Sequence, residues 1–203
     1  AVFWMGTVLQ RILRRDIRRT TVLVGWLVVS WSLLRLFKYQ LLVPSHVSRL
    51  CWYGYYVYQL AMPLVMLWLA QIVDKPENSK RLLRPLWPPL AAYILAELLV
   101  FTNDLHQLVF RFDLSGDWSH DYQYGPGYFV VFLISLAFLL AAIVLLFRKS
   151  RHSRYLGARV FPVLFIAAIL SYIMGYLFKI PLARDSDYTI TICVLAMLFF
   201  ESF

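Results

Sequence analysis

The chain has 203 residues, 61% of them hydrophobic and only 15% charged, with a mean hydropathy of +0.66. A soluble domain is nearer half apolar, so an ordinary water-soluble fold is excluded. The net charge of +9 would point to nucleic acid in a soluble protein, but here membrane topology accounts for it and no nucleic-acid partner is expected.

The chain opens on an apolar stub, AVFWMGTVL, followed by Arg11, Arg14, Arg15, Arg18 and Arg19. The stub reads as the inner end of a truncated first helix. Six longer apolar blocks follow, at 20–42, 51–73, 85–103, 127–147, 159–179 and 187–203. A helix crossing the hydrocarbon needs ~20 mostly apolar residues. Lipid offers no partner to backbone N–H and C=O groups, so only helices or closed barrels cross it. These blocks are too long for barrel strands and lack their strict alternation. The expected fold is an all-α, polytopic transmembrane helix bundle in one domain, 1–203. It has six full spans plus the truncated first, seven in total.

Lys and Arg accumulate in cytoplasmic loops. The run before block 20–42, Lys75, Lys80, Arg81 and Arg84 after 51–73, and Arg148, Lys149, Arg151, Arg154 and Arg159 after 127–147 occupy alternate connections. The intervening connections carry few cations and are richer in acids, among them Asp113, Asp117, Asp121, Asp185 and Asp187. The N-terminus is therefore expected outside and the C-terminus in the cytoplasm. The longest connection, 104–126, falls outside. It starts with an apolar stretch, LHQLVFRF, expected to continue the helix or lie at the interface. Ser115-Gly116-Asp117 then signals a turn.

Residues at i, i+3, i+4 and i+7 share a helix face. By that rule Trp52, Tyr55, Tyr56, Gln59 and Pro63 group together, as do Trp31, Arg35, Lys38 and Tyr39. Glu97 groups with Asp104, near Asn103 and His106, and Tyr172, Gly175, Tyr176 and Lys179 form a fourth set. With the orientation above, all lie in the outer halves of their helices, while inner halves such as LAAIVLLF are nearly pure hydrocarbon. An ionisable residue near the bilayer centre costs ~2.5–3.5 kcal/mol on insertion scales, and is therefore paired or lines a cavity. A polar, aromatic-lined pocket open to the outside is expected. Its ligand-binding residues would be Arg35, Lys38, Trp52, Tyr55, Tyr56, Gln59, Glu97, Asn103, Asp104, His106, Tyr172, Tyr176 and Lys179. The cations would favour an anionic or polar group, and the tyrosines would pack its apolar part.

Two other classes fit less of the sequence. Glu97, Asn103, Asp104 and His106 lie within ten residues and could serve an intramembrane hydrolase, but no second histidine matches in depth to complete a zinc site. A small transporter or channel lacks a continuing polar path through the inner halves. Cys51 and Cys193 form no CxxC pair. No metal and no cofactor is expected.

The stretch RLCWYGYYVYQLAMPLVMLWLA, the short basic loop after DKPE, then FTNDLHQLVFRF and DYQYGPGYFVVF together resemble the seven-transmembrane N-terminal sensor region of bacterial sensor histidine kinases. The ending FFESF resembles the passage from that region into cytoplasmic signalling domains. The most distinctive piece is TNDLHQLVF, and the likeness extends from about Arg14 to Phe203. The resemblance implies a multi-pass protein of the bacterial cytoplasmic membrane, in contact with lipid. It implies a sensor or receptor module that is not itself an enzyme and is joined to a cytoplasmic kinase domain in the same chain. It also implies a homodimer when full length, and a small-molecule or lipid ligand it does not name.

Overall fold

Four of the predicted apolar blocks are helices in the computed structural model, which describes residues 2–11, 15–41, 46–72, 86–112 and 122–150. The blocks at 159–179 and 187–203, and with them Tyr172, Tyr176 and Lys179, lie outside the described residues. The described elements are helices α1 (Val2–Arg11), α2 (Arg15–Leu41), α3 (His46–Ile72), α4 (Trp87–Phe101) and α5 (Asn103–His106), strands β1 (Phe110–Phe112) and β2 (Tyr122–Tyr124), and helix α6 (Pro126–Ser150).

The helices start and stop where local chemistry directs. Helix α2 begins at Arg15, so Arg15, Arg18 and Arg19 belong to its first turns instead of a preceding loop. Asp16 in that turn and Lys38 in the last both suit the helix dipole. Long arginine stems let the charged heads reach water while the helix enters lipid. Within α2, hydroxyls donate to the carbonyl four residues back: Thr20 to Asp16, Thr21 to Ile17 and Ser32 to Val28, each at 2.9 Å, and Ser30 to Trp26. These polar side chains are thus satisfied inside their own helix, as lipid requires. Helix α4 opens with proline at its first positions, where a missing N–H costs nothing.

Three of these helices, α2, α3 and α6, are long and apolar enough to cross a membrane. Helix α4 is apolar but has 15 residues, about 22 Å of rise. The predicted block 85–103 ends in the turn at Thr102 and the first residue of α5. The stub forms α1, whose Met5 is buried against Gly25 of α2. A Cβ on Gly25 would meet the Met5 side chain at 2.3 Å, so the small residue lets the two helices approach closely.

Helix α3 is the centre, with half of its span buried inside the protein. Its Met66, Leu69 and Ala70 pack with Val24, Val28 and Trp31 of α2 and with Phe138, Ala142 and Leu146 of α6, and its Leu60 packs in an adjoining apolar cluster with Ala96 and Val100 of α4 and Val131 of α6. Helices α3 and α6 run in the same direction. The Lys149 ammonium donates to the carbonyls of Ala70 (2.6 Å) and Gln71 (3.3 Å), capping the α3 C-terminus. Midway, Pro63 has no N–H for the carbonyl of Gln59, and Ser135 of α6 donates its hydroxyl there instead (3.4 Å).

The expected all-α architecture holds for the membrane helices, with one addition. The stretch LHQLVFRF does not simply extend α4: Leu105 and His106 close α5, and Phe110–Phe112 are strand. It turns after α5 and forms β1, antiparallel to β2 with Phe110 opposite Tyr124 and Phe112 opposite Tyr122. Phe110 and Phe112 point inward and Arg111 outward, the period of two that a half-buried strand dictates. The bundle therefore has two unlike ends. One carries this hairpin and a dense set of aromatic rings; the other carries Arg15, Arg18, Arg19, Arg148 and Lys149.

Candidate functional site at the aromatic end

Two connected groups of residues occupy the aromatic end. The first is built around Asn103, wholly buried at the start of α5. Its Oδ1 accepts from the backbone N–H of Val109 and of Phe110, both at 2.9 Å. Its Nδ2 donates to the Phe110 carbonyl (3.0 Å) and to the Tyr53 hydroxyl (3.3 Å). A side-chain amide has two donor hydrogens and two acceptor lone pairs, and Asn103 uses all four.

Asp104 extends the network. Its Oδ1 receives the Tyr53 hydroxyl proton (2.6 Å), and its Oδ2 pairs with the Arg49 guanidinium (2.9 Å). The Arg49 side chain is 9% exposed and that of Asp104 34%. The turn is closed by Gln107, whose φ of 50° is left-handed and whose N–H donates to the Asn103 carbonyl (2.7 Å). His106 braces the same turn. Leu108 N–H donates to its Nδ1 (3.0 Å), which leaves the proton on Nε2, facing the Thr102 hydroxyl oxygen (3.2 Å). That hydroxyl donates onward to the Leu98 carbonyl (2.6 Å).

The hairpin is locked to α6 without a linker. Gly125 N–H donates to the Val109 carbonyl (2.8 Å) and Gly127 N–H to that of Leu108 (2.9 Å). A Cβ on Gly125 would sit 2.1 Å from the Leu108 carbonyl oxygen, so only glycine permits this approach.

The second group faces α2. The Lys38 ammonium lies over the rings of Trp52 (5.8 Å) and Tyr55 (5.4 Å), within range for cation–π attraction. Arg35, one turn earlier, is within electrostatic reach of Lys38. Trp52 connects the two groups, for its ring is 4.4 Å from that of Phe110 and 4.9 Å from that of Tyr122.

The structure therefore brings together Arg35, Lys38, Trp52 and Tyr55 among the expected ligand-binding residues, and separately Asn103, Asp104 and His106. Tyr56 is buried beneath the hairpin, its ring 5.4 Å from Phe110. Gln59 is half-buried on α3 and receives Ser135 through its backbone carbonyl. Glu97 lies on the inward face of α4. Sequence reasoning did not single out Arg49 or Tyr53. Both are buried, and their spacing of four on the face that also carries Trp52 and Tyr56 was the available signal.

A helical membrane module with one basic end and one polar-aromatic end is the class of protein this fold defines. The family described as the N-terminal 7TM region of histidine kinase matches the chain over residues 1–201, and the chain belongs to that family. No curated protein and no solved structure matches it.

Proposed function

We propose that this module senses an extracytoplasmic signal for a histidine kinase, with the hairpin end outward in the bacterial cytoplasmic membrane. The observation that carries the reading is the placement of Lys38 over Trp52 and Tyr55 with Arg35 beside it. Two cations held close in a half-buried setting favour an anionic group, and the rings offer an apolar wall. An anionic amphiphile or lipid headgroup is the ligand chemistry this supports. Asn103, Asp104 and His106 frame the site by holding the turn and hairpin against α3. A ligand at Lys38 would move Trp52, and through it the hairpin and α6. A ligand drives such a change only through its different affinities for two states. The signal would leave through the last apolar block, 187–203, into a kinase domain of the same chain, which would act as a dimer.

Native mass spectrometry of the purified protein, before and after delipidation, tests this. A stoichiometric anionic adduct that is lost in Arg35→Ala and Lys38→Ala supports the site. In the full-length kinase both substitutions should abolish the response to that adduct. If signalling by both variants matches wild type, the assignment fails.

A further inference from the structure

Helix α4 carries one carboxylate side chain, Glu97, and it points inward. Positions 93, 96, 97 and 100 form the covered stripe of α4, with Ala96 and Val100 fully packed. The opposite stripe, Trp87, Leu90, Ile94, Leu98 and Phe101, is exposed. Glu97 thus sits on the packed face of a membrane helix. Both of its carboxylate oxygens are buried and have no hydrogen-bond partner among the described residues. A carboxyl group kept only for helix–helix adhesion would bond a neighbour, and among the described residues this one bonds none.

Its surroundings are aromatic. Tyr93, one turn earlier, lies within electrostatic reach of both Glu97 and Tyr58 of α3. The Tyr58 ring stacks on Trp31 of α2 at 6.2 Å and 7°. Trp31 Nε1 is also buried without a partner among the described residues. Tyr93 thus links the carboxylate to Tyr58, and Trp31 stacks on Tyr58, so that a ring from each of three helices lines the way to it. Aromatic faces carry negative potential and attract cations, most strongly when desolvated. A divalent metal ion would need several more oxygen ligands, and among the described residues no three metal-binding side chains gather.

We infer that Glu97, Trp31, Tyr58 and Tyr93 form an intramembrane binding site for a lipophilic organic ammonium ion, separate from the Arg35–Lys38 cluster. Trp31 lies seven residues before Lys38 on α2, about 10 Å deeper along the helix axis. The two sites have opposite charge and would take opposite ligands.

Equilibrium dialysis of tetrabutylammonium against the protein in lipid nanodiscs tests the site. Saturable one-to-one binding is expected, weakened at least about 10-fold by Glu97→Gln and several-fold by Tyr58→Leu. Lys38→Ala should leave it unchanged, which separates this site from the proposed sensor cluster. Should Glu97→Gln fail to fold, Tyr93→Leu, which keeps the carboxylate, decides by the same several-fold loss. No saturable binding to wild type, equal binding by Glu97→Gln, or loss of binding in Lys38→Ala would each overturn the inference.

Discussion

A single amide organises the aromatic end. Asn103 closes four hydrogen bonds with groups six to seven residues ahead and on α3, and each buried backbone group left unpaired costs about 1–3 kcal/mol. Asn103→Ala should therefore lower stability by about 3 kcal/mol. Amide hydrogen exchange at Val109 and Phe110 should speed up selectively, and a uniform change would argue against a local role. Asp104→Ala takes the carboxylate away from the buried Arg49 guanidinium. The loss should be roughly 2 kcal/mol, below the 3–5 of a fully buried pair because Asp104 stays one-third exposed. Arg49→Met in the Asp104→Ala background should recover much of it, as chemical denaturation of the double variant would show. None of this was legible in the sequence. TNDLHQLVF stands out as a string, but Asn103 bonds chiefly to backbone groups, which no residue pattern records.

Among the elements, legibility followed hydrophobicity. The apolar blocks at 20–42, 51–73 and 127–147 gave α2, α3 and α6, because lipid leaves a long apolar segment no other form. The hairpin stayed hidden because three residues, Phe110-Arg111-Phe112, are too short an alternation to separate from a fraying helix. Pro63 is plain in the sequence, yet the donor that serves the carbonyl it leaves unpaired lies on another element. Ser135→Ala should destabilise the wild type by about 1 kcal/mol, because the Gln59 carbonyl loses its donor. In Pro63→Ala the restored N–H returns to that carbonyl, and Ser135→Ala should then be nearly neutral. A double-mutant cycle that shows no coupling would remove this account.

Across the whole molecule, the segregation of charge follows the rule that concentrates Lys and Arg on the cytoplasmic side. In a protein freed of Cys51 and Cys193, Gln123→Cys should react with a membrane-impermeant maleimide in intact cells, and Arg148→Cys only after lysis. The reverse pattern would invert the proposed orientation. Among the residues that face periodicity groups, Lys38 lies over the rings of Trp52 and Tyr55. The division of that polar set into a hydrogen-bonded frame, a cationic cluster and a lone carboxylate depends on which side of each helix faces which neighbour, and periodicity within one helix does not fix that. The direct joint between β2 and α6 has a consequence of a different kind. An α-helix turns about 100° per residue. One residue inserted beside Gly125 would leave composition, hydropathy and every span length almost unchanged. It would nonetheless rotate α6 by more than a quarter turn, swinging Phe138, Ala142 and Leu146 toward lipid. The count of residues at this joint sets the phase of the helix as firmly as their identity does.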